Sequence, residues 1–221
     1  MCNRYVSPAA DEIERYWHAG ARSPWRGGPV FPRAPGAFVR AAGGGRELVV
    51  GRWGLLPWFA KTATPAYSTN NARFEELERK PSYRDPWRRG QRCLIPAWSF
   101  DEPCWESGRN VWWSFRRADG APWALAGLWN TWTDRATGEL VESYTMLTLN
   151  ADAHPLLRRM HKPDPKLPAD AQDKRSVVAI EAADVDAWLH GPPSQAAALV
   201  RLTPVAGFDA APAAAAPRRQ E

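Results

Sequence analysis

Apolar and polar positions alternate in short runs along most of this chain, and helical spacing is the exception. Between Asp11 and Ala19, Ile13, Tyr16 and Trp17 recur on one helical face behind an acidic start, which predicts a short helix. A loop rich in Gly and Pro follows. The segments Ala37 to Ala42 and Leu48 to Trp53 flank three glycines at 43 to 45 and read as strand, turn, strand. A second helix is predicted from Ala72 to Arg79, ended by Pro81. Arg92 to Phe100 reads as one buried strand, and Val111 to Arg117 and Trp123 to Trp129 as two more, joined by the turn ADGAP. A strand at Ser143 to Leu149 precedes a predicted helix at Ala153 to Met160. The Lys-, Asp- and Pro-rich stretch 162–174 is a loop, followed by a strand at Ser176 to Ile180 and a helix at Ala183 to Leu189.

Many short strands with few helices define an α+β class: a single domain with a mainly antiparallel sheet or open β-barrel-like core and a few flanking helices. The 221 residues, 44% of them hydrophobic, suffice for one sizeable core and not for two full domains. The tail APAAAAPRRQE is of low complexity, and disorder is expected from about residue 209 to 221. No internal repeat is present.

Charge and composition narrow the classes. No stretch approaches the roughly 18 uninterrupted apolar residues of a membrane span, and the N-terminus has no apolar signal core, so a soluble cytoplasmic protein without a membrane partner is expected. Three cysteines, Cys2, Cys93 and Cys104, are an odd number without paired spacing, which argues against a disulfide framework and a cysteine-based zinc site. The excess of 29 Lys and Arg over 24 Asp and Glu suits a polyanionic partner without requiring one. Thirteen tryptophans offer flat platforms for unpaired bases, although most aromatic residues serve burial first.

The candidate chemistry starts at position 2. A small second residue lets the initiator methionine be cleaved, which leaves Cys2 with a free α-amine and makes it a 1,2-aminothiol. The amine titrates near about 7.7 to 8.0 and the thiol near about 8.5, so both nucleophiles are partly available at neutral pH. Such a pair captures an aldehyde twice, first as a Schiff base and then by thiolate attack that closes a thiazolidine ring.

Six segments, the first of which holds Cys2 itself, set it in context. The start MCNRY, then RWGLLPWFA at 52–60, TNNARFEEL at 69–77, RCLIPAWSFDEP at 92–103, LAGLWNTW at 125–132 and YTMLTLNA at 144–151 stand in the order of the signature blocks of the SRAP family, which the chain resembles from residue 2 to about residue 190. Residues 191–221 then form a C-terminal extension. The resemblance implies an α+β fold with a β-barrel-like core, binding of single-stranded DNA and a covalent link to abasic sites through the N-terminal cysteine. It also implies a place in the DNA damage (SOS) response, at the bacterial nucleoid or replication fork. Family members are known too as SOS-response-associated peptidases, on the idea that they remove their own N-terminal residue.

Carried over residue by residue, the resemblance makes Cys2 the nucleophile and Asn71 the asparagine that orients the cysteine and the sugar. Glu102 takes the glutamate position, six residues after Pro96, where the common pattern reads Pro-Ala-Asp-Gly-Phe-Tyr-Glu. A carboxylate there shuttles the protons that imine formation and ring closure require, and Glu106 competes for the role. The commonest pattern has a His two residues before an Arg-Met-Pro block. Here that block is DKRSVV at 173–178, so the usual His position falls near Asp173, and His161 with an insertion after it is expected to fold into the site instead. Arg4, Arg73 and Arg84 are candidate phosphate clamps, Arg4 and Arg73 by their closeness to Cys2 and Asn71. Trp53 and Trp58 are candidates to wedge or stack beside the lesion, with one of the two free to be core, and Thr148 is a candidate hydroxyl partner. No metal or cofactor is implied, and nothing demands oligomerisation, so a monomer is expected. Slow abasic-site lyase activity follows from the Schiff base. A cysteine peptidase using Cys2 with His161 and Glu102, or a non-catalytic single-strand binder, are the competing readings.

Overall fold

A computed structural model describes residues 2–213. Thirteen strands run in chain order: β1 Tyr5–Ser7, β2 Ala19–Ala21, β3 Gly28–Val30, β4 Pro35–Ala42, β5 Gly45–Trp53, β6 Asn71–Arg73, β7 Arg92–Ala97, β8 Ser99–Cys104, β9 Val111–Arg117, β10 Trp123–Thr133, β11 Leu140–Asn150, β12 Arg175–Val177 and β13 Phe208–Pro212. The α-helices are α1 Ala10–Trp17, α2 Pro81–Arg88, α3 Val185–His190 and α4 Pro193–Ala198. No helix among the described residues is long and apolar enough to cross a membrane.

The strands form two sheets. One has the order β13-β9-β8-β1-β3; the other runs β12-β11-β10-β7-β4-β5-β2, with β6 added on β11. In the second sheet β5 also pairs with β11 in parallel, Ser143 opposite Arg52 and Tyr144 opposite Trp53. That contact closes β4, β5, β11, β10 and β7 into a five-membered ring, the barrel-like core of an α+β domain.

Pleating divides the apolar residues of the ring between two cores. Phe38, Val49, Ile95, Leu125, Tyr144 and Met146 point inward and pack with Tyr5, Phe100 and Phe115 of the other sheet. Their neighbours Val39, Leu48, Leu94, Ala126 and Leu147 point outward, where Ile13 and Trp17 of α1, Trp87 of α2 and Trp188 of α3 cover them. Each fully buried large side chain of this kind contributes about 1.5–3 kcal/mol.

Several segments differ from the pattern-based reading. The single strand expected from Arg92 to Phe100 is two: the chain leaves the ring at Trp98, whose N–H donates to the Val6 carbonyl, and continues as β8 in the other sheet. The helix expected at Ala72 to Arg79 is absent. Its first residues pair in parallel with β11, Asn71 opposite Met146, and only a 3-10 turn at Phe74–Glu76 follows. Pro81 starts α2 instead of ending a helix, as its fixed φ and missing N–H allow at the first helical position. The helix expected at Ala153 to Met160 reduces to a 3-10 turn at Leu157–Arg159, because Nδ1 of His154 accepts from the Leu156 and Leu157 N–H groups. The extension beyond residue 190 carries α4 and β13. Residues 209–212, expected to be disordered, pair with β9 from Asp209 opposite Arg116 to Pro212 opposite Trp113; the rest of the expected disordered tail, from 214, lies outside the described residues.

Strand spacing in the ring leaves no room at Gly127. A Cβ there would lie 2.6 Å from the Thr145 carbonyl oxygen and 2.8 Å from Ile95 Cδ1. Gly127→Ala is therefore expected to lower unfolding stability by about 1–3 kcal/mol. Urea titration followed by tryptophan fluorescence measures it, and a wild-type midpoint would show that β10 and β11 can move apart without penalty.

Candidate active site

Cys2 enters the inner core ahead of β1 and is fully buried. Its carbonyl accepts the Asn71 side-chain amide at 2.8 Å and a longer contact from the Asn70 amide at 3.4 Å. Its thiol donates to the Arg4 carbonyl at 3.3 Å. Asn71 stands there because β6 adds to the edge of β11, and Tyr83 of α2 donates to the Asn71 carbonyl at 3.3 Å. Oδ1 of Asn71 is buried without a hydrogen-bond partner among the described residues.

Glu102 reaches the same interior from β8, on the face of the strand that carries Phe100 and Cys104. It is 1% exposed, and burial, with the adjacent Asp101 carboxylate adding to it, pushes its pKa up to about 7. Its Oε2 lies 3.5 Å from Nε2 of His161. Burial pushes His161 the other way, down to about 4, with Lys174 contributing repulsion. Near neutral pH the contact therefore joins a neutral imidazole to a carboxyl group poised between its two states, and it is no fixed ion pair. Nε2 also lies 2.8 Å from the Arg175 carbonyl, which selects the tautomer that carries its proton on Nε2. Burial, then the Glu102 carboxylate, raises the Cys2 thiol well above its ordinary value, so the sulfur rests as a thiol.

His161 is held by its backbone as well. It adopts a left-handed φ of 64°, donates its N–H to the Pro103 carbonyl at 2.6 Å and accepts Lys174 Nζ on its own carbonyl at 2.6 Å. Beside it, a cleft of about 790 Å³ opens between the 105–106 turn and the 163–172 loop, with Trp105, Arg158, Arg159 and Lys174 in its walls. Glu106 is half-exposed at this surface, bound by Nε and Nη2 of Arg159 at 2.7 Å each, while Glu102 is buried.

Cys2, Asn71, Glu102 and His161 thus converge from four separate parts of the chain. The other candidates divide. Arg4 contributes its carbonyl, but its guanidinium pairs with Asp101 on the opposite face of β8 from Glu102 and lines a separate pocket with Ser99, Ser114 and Arg116. Trp53 is core: fully buried, edge-on to Tyr5 at 5.1 Å and hydrogen-bonded to the Asn70 carbonyl at 2.8 Å, it has no face to offer a base. Trp58 is 64% exposed and edge-on to Phe59. Thr148 is 1% exposed and donates its hydroxyl to the Ala72 carbonyl at 3.3 Å. Arg84 sits on α2 beside Asp85, outside the cluster. Arg73 is half-exposed and pairs with Asp173 at 2.6 Å. Asn70 and Arg175 were not singled out from the sequence; the paired Asn-Asn of TNNAR and the DKRSVV block were their only signals.

Comparison with known proteins finds relatives of both sequence and structure. The chain is 30% identical over 187 residues to "Abasic site processing protein YoaM" of Bacillus subtilis (strain 168), covering 79% of this chain and 78% of that protein. It is 26% identical over 162 residues to "Abasic site processing protein HMCES" of Xenopus tropicalis, where the match covers 63% of this chain and about half, 48%, of the longer relative. A crystal structure of a Bordetella bronchiseptica protein superposes with a TM-score of 0.85 at 33% identity, covering 96% of this chain and all of that one. The family model for SOS response associated peptidase (SRAP) matches residues 1–215, and the chain belongs to that family.

Proposed function

We propose that the protein captures abasic sites in single-stranded DNA as a covalent thiazolidine on Cys2, after removal of Met1, as part of the response to DNA damage. The observation that supports it most is the joining of a second-position cysteine, anchored by Asn71, to a buried carboxyl group with a pKa of about 7. The relatives named for abasic-site processing point to the same substrate.

The chemistry follows from the protonation states. The thiol is held protonated by burial, so the freed α-amine, with an ordinary pKa of about 8, attacks the sugar aldehyde first. Protonated Glu102 gives its proton to the departing hydroxyl of the carbinolamine, and water leaves as the protonated imine, an iminium ion that keeps its N–H, forms. The carboxylate so produced takes the thiol proton while sulfur adds to the imine carbon, which closes the ring and returns Glu102 to its starting state. The balance is one water released for each link. His161, neutral and oriented by the Arg175 carbonyl, assists opening of the deoxyribose ring to the aldehyde. β-Elimination from the same imine gives slow lyase activity, and Trp58 stacks on a base flanking the lesion.

The decisive experiment is a denaturing gel of the protein with a uracil-containing single-stranded oligonucleotide, with and without uracil glycosylase. A shifted band that requires both the abasic site and Cys2, and vanishes in Cys2→Ala, is expected. Absence of the band when intact mass shows Met1 removed would refute the reading.

The acid role of Glu102 fixes a pH dependence. The step needs Glu102 protonated, so its contribution is present below about pH 7 and is lost as pH rises through that value. The amine needs to be unprotonated, which favours higher pH, and the two limbs make a bell. Glu102→Gln is expected to slow crosslinking roughly 100-fold or more and to abolish the falling alkaline limb. A variant profile that keeps the limb would assign it to another group.

A further inference from the structure

Asp173 makes contacts that the chemistry at Cys2 does not use. Its Oδ2 lies 2.6 Å from Nη2 of Arg73 and its Oδ1 lies 3.2 Å from Nη1 of Arg175, so one carboxylate bridges two guanidinium groups. Arg73 comes from β6 and Arg175 from β12, and both strands border Thr148 of β11. Arg175 is fixed independently, by Glu75 at 2.7 Å and the Thr148 carbonyl at 2.9 Å, and it is almost fully buried. Arg73 has only a long second contact, to Glu76 at 3.7 Å, and is 44% exposed.

Resting on the reading of single-stranded DNA as the ligand, with Arg73 as the phosphate clamp already expected of it, we propose that Asp173 is an internal competitor at Arg73 and Arg175, a carboxylate seated where a backbone phosphate goes. Guanidinium groups recognise planar carboxylates and phosphate oxygens with the same fork of donors, so the two anions exchange at one place. The pair Arg73–Asp173 is open to water on both sides, which lets the exchange occur without opening the core.

The backbone supports a segment that moves as this happens. Asp173 has a left-handed φ of 52° and His161, at the other end of the loop, a φ of 64°, a conformation uncommon for residues with a side chain that Asp and His tolerate better than most. The residues from 162 to 171 between them are exposed, and Gln172 ties the loop mainly to itself through the carbonyls of Leu167 and Pro168. Asp173 is further held by its N–H on Asp152 at 2.9 Å and by a 3.5 Å contact from Asn150. Seating a phosphate on Arg175 acts on the residue whose carbonyl orients His161, and Lys174 between them holds the His161 carbonyl. Asp173 is thereby a residue that sets the affinity for the strand and couples strand binding to the histidine. The insertion after His161 delivers it.

The test uses a labelled oligothymidine without abasic sites, titrated by fluorescence anisotropy over a series of salt concentrations, alongside the crosslinking gel. Asp173→Asn keeps a residue tolerant of the left-handed backbone and removes the charge. It is expected to bind roughly threefold to tenfold more tightly at about 0.1 M salt. The slope of log affinity against log salt is expected to steepen by roughly one unit, because an arginine no longer preneutralised releases a counterion of the phosphate. Arg73→Ala is expected to bind more weakly with a shallower slope. Unchanged or weaker binding by folded Asp173→Asn, with an unchanged slope, would overturn the proposal, and should Asp173→Asn not fold, Asp173→Gly decides by the same two readouts. If the wild type gives no crosslink while Asp173→Asn still shows the steeper slope, the Cys2 reading fails and the phosphate site stands.

Discussion

Closure of the strand ring by the two-residue parallel contact between β5 and β11 is the constraint on which the rest of the structure depends. β11 is the most widely shared strand, pairing with β10, β5, β6 and β12. β10 pairs with Leu140 to Met146 along one edge, while β5 takes Ser143 and Tyr144 on the other and ends there. Beyond that point the far end of β11 is left with free hydrogen-bonding groups on both sides, which a buried strand cannot leave unpaired. β6 fills one side, from Met146 to Thr148, and β12 the other, from Thr148 to Asn150. These two short strands bring in Asn71 and Arg73 from one direction and Arg175, with His161 on its carbonyl, from the other.

Electrostatics at the site follow from where the two sheets meet. β1 and β8 lie side by side, Tyr5 opposite Phe100, so Cys2 and Glu102 both end in the inner core among aromatic side chains. A low-dielectric setting penalises the charged form of every group it holds, which raises the carboxyl and the thiol and lowers the imidazole. Glu102 and His161 are thereby both brought toward neutrality. Asp101, one residue away, points to the opposite face, where it pairs with the Arg4 guanidinium.

Most of the aromatic content serves packing. Trp53, Trp123 and Trp188 are among the largest fully buried side chains, each with its indole N–H on a backbone carbonyl: Asn70, Phe115 and Cys93 respectively. Trp58, Phe59 and Tyr67 are exceptions that leave apolar rings in solvent on the segment after β5. Arg92 shows the same economy on the polar side: it lies near the rings of Trp87 and Trp188 and fastens the end of α3 through the Trp188 and Gly191 carbonyls.

Local pattern alone determined the α+β class, the hairpin of β4 and β5, the strands β9 to β11 and the first helix, because pleat alternation, glycine turns and a helical apolar face are encoded within a few neighbouring residues. Cys2, Asn71, Glu102 and His161 were legible as chemistry, by residue type and by likeness to ordered sequence blocks. Tertiary structure alone decided which of them meet, and it made strands of Asn71–Arg73 and Phe208–Pro212, since a three- to five-residue strand exists only when a neighbouring edge supplies its partners. It likewise sent Trp53 into the core and left Trp58 outside, two similar residues five apart, and turned the Arg4 side chain to the far side of β8 while keeping its carbonyl on the Cys2 thiol. Burial and long-range pairing are properties of the assembled sheets, and no window of sequence carries them.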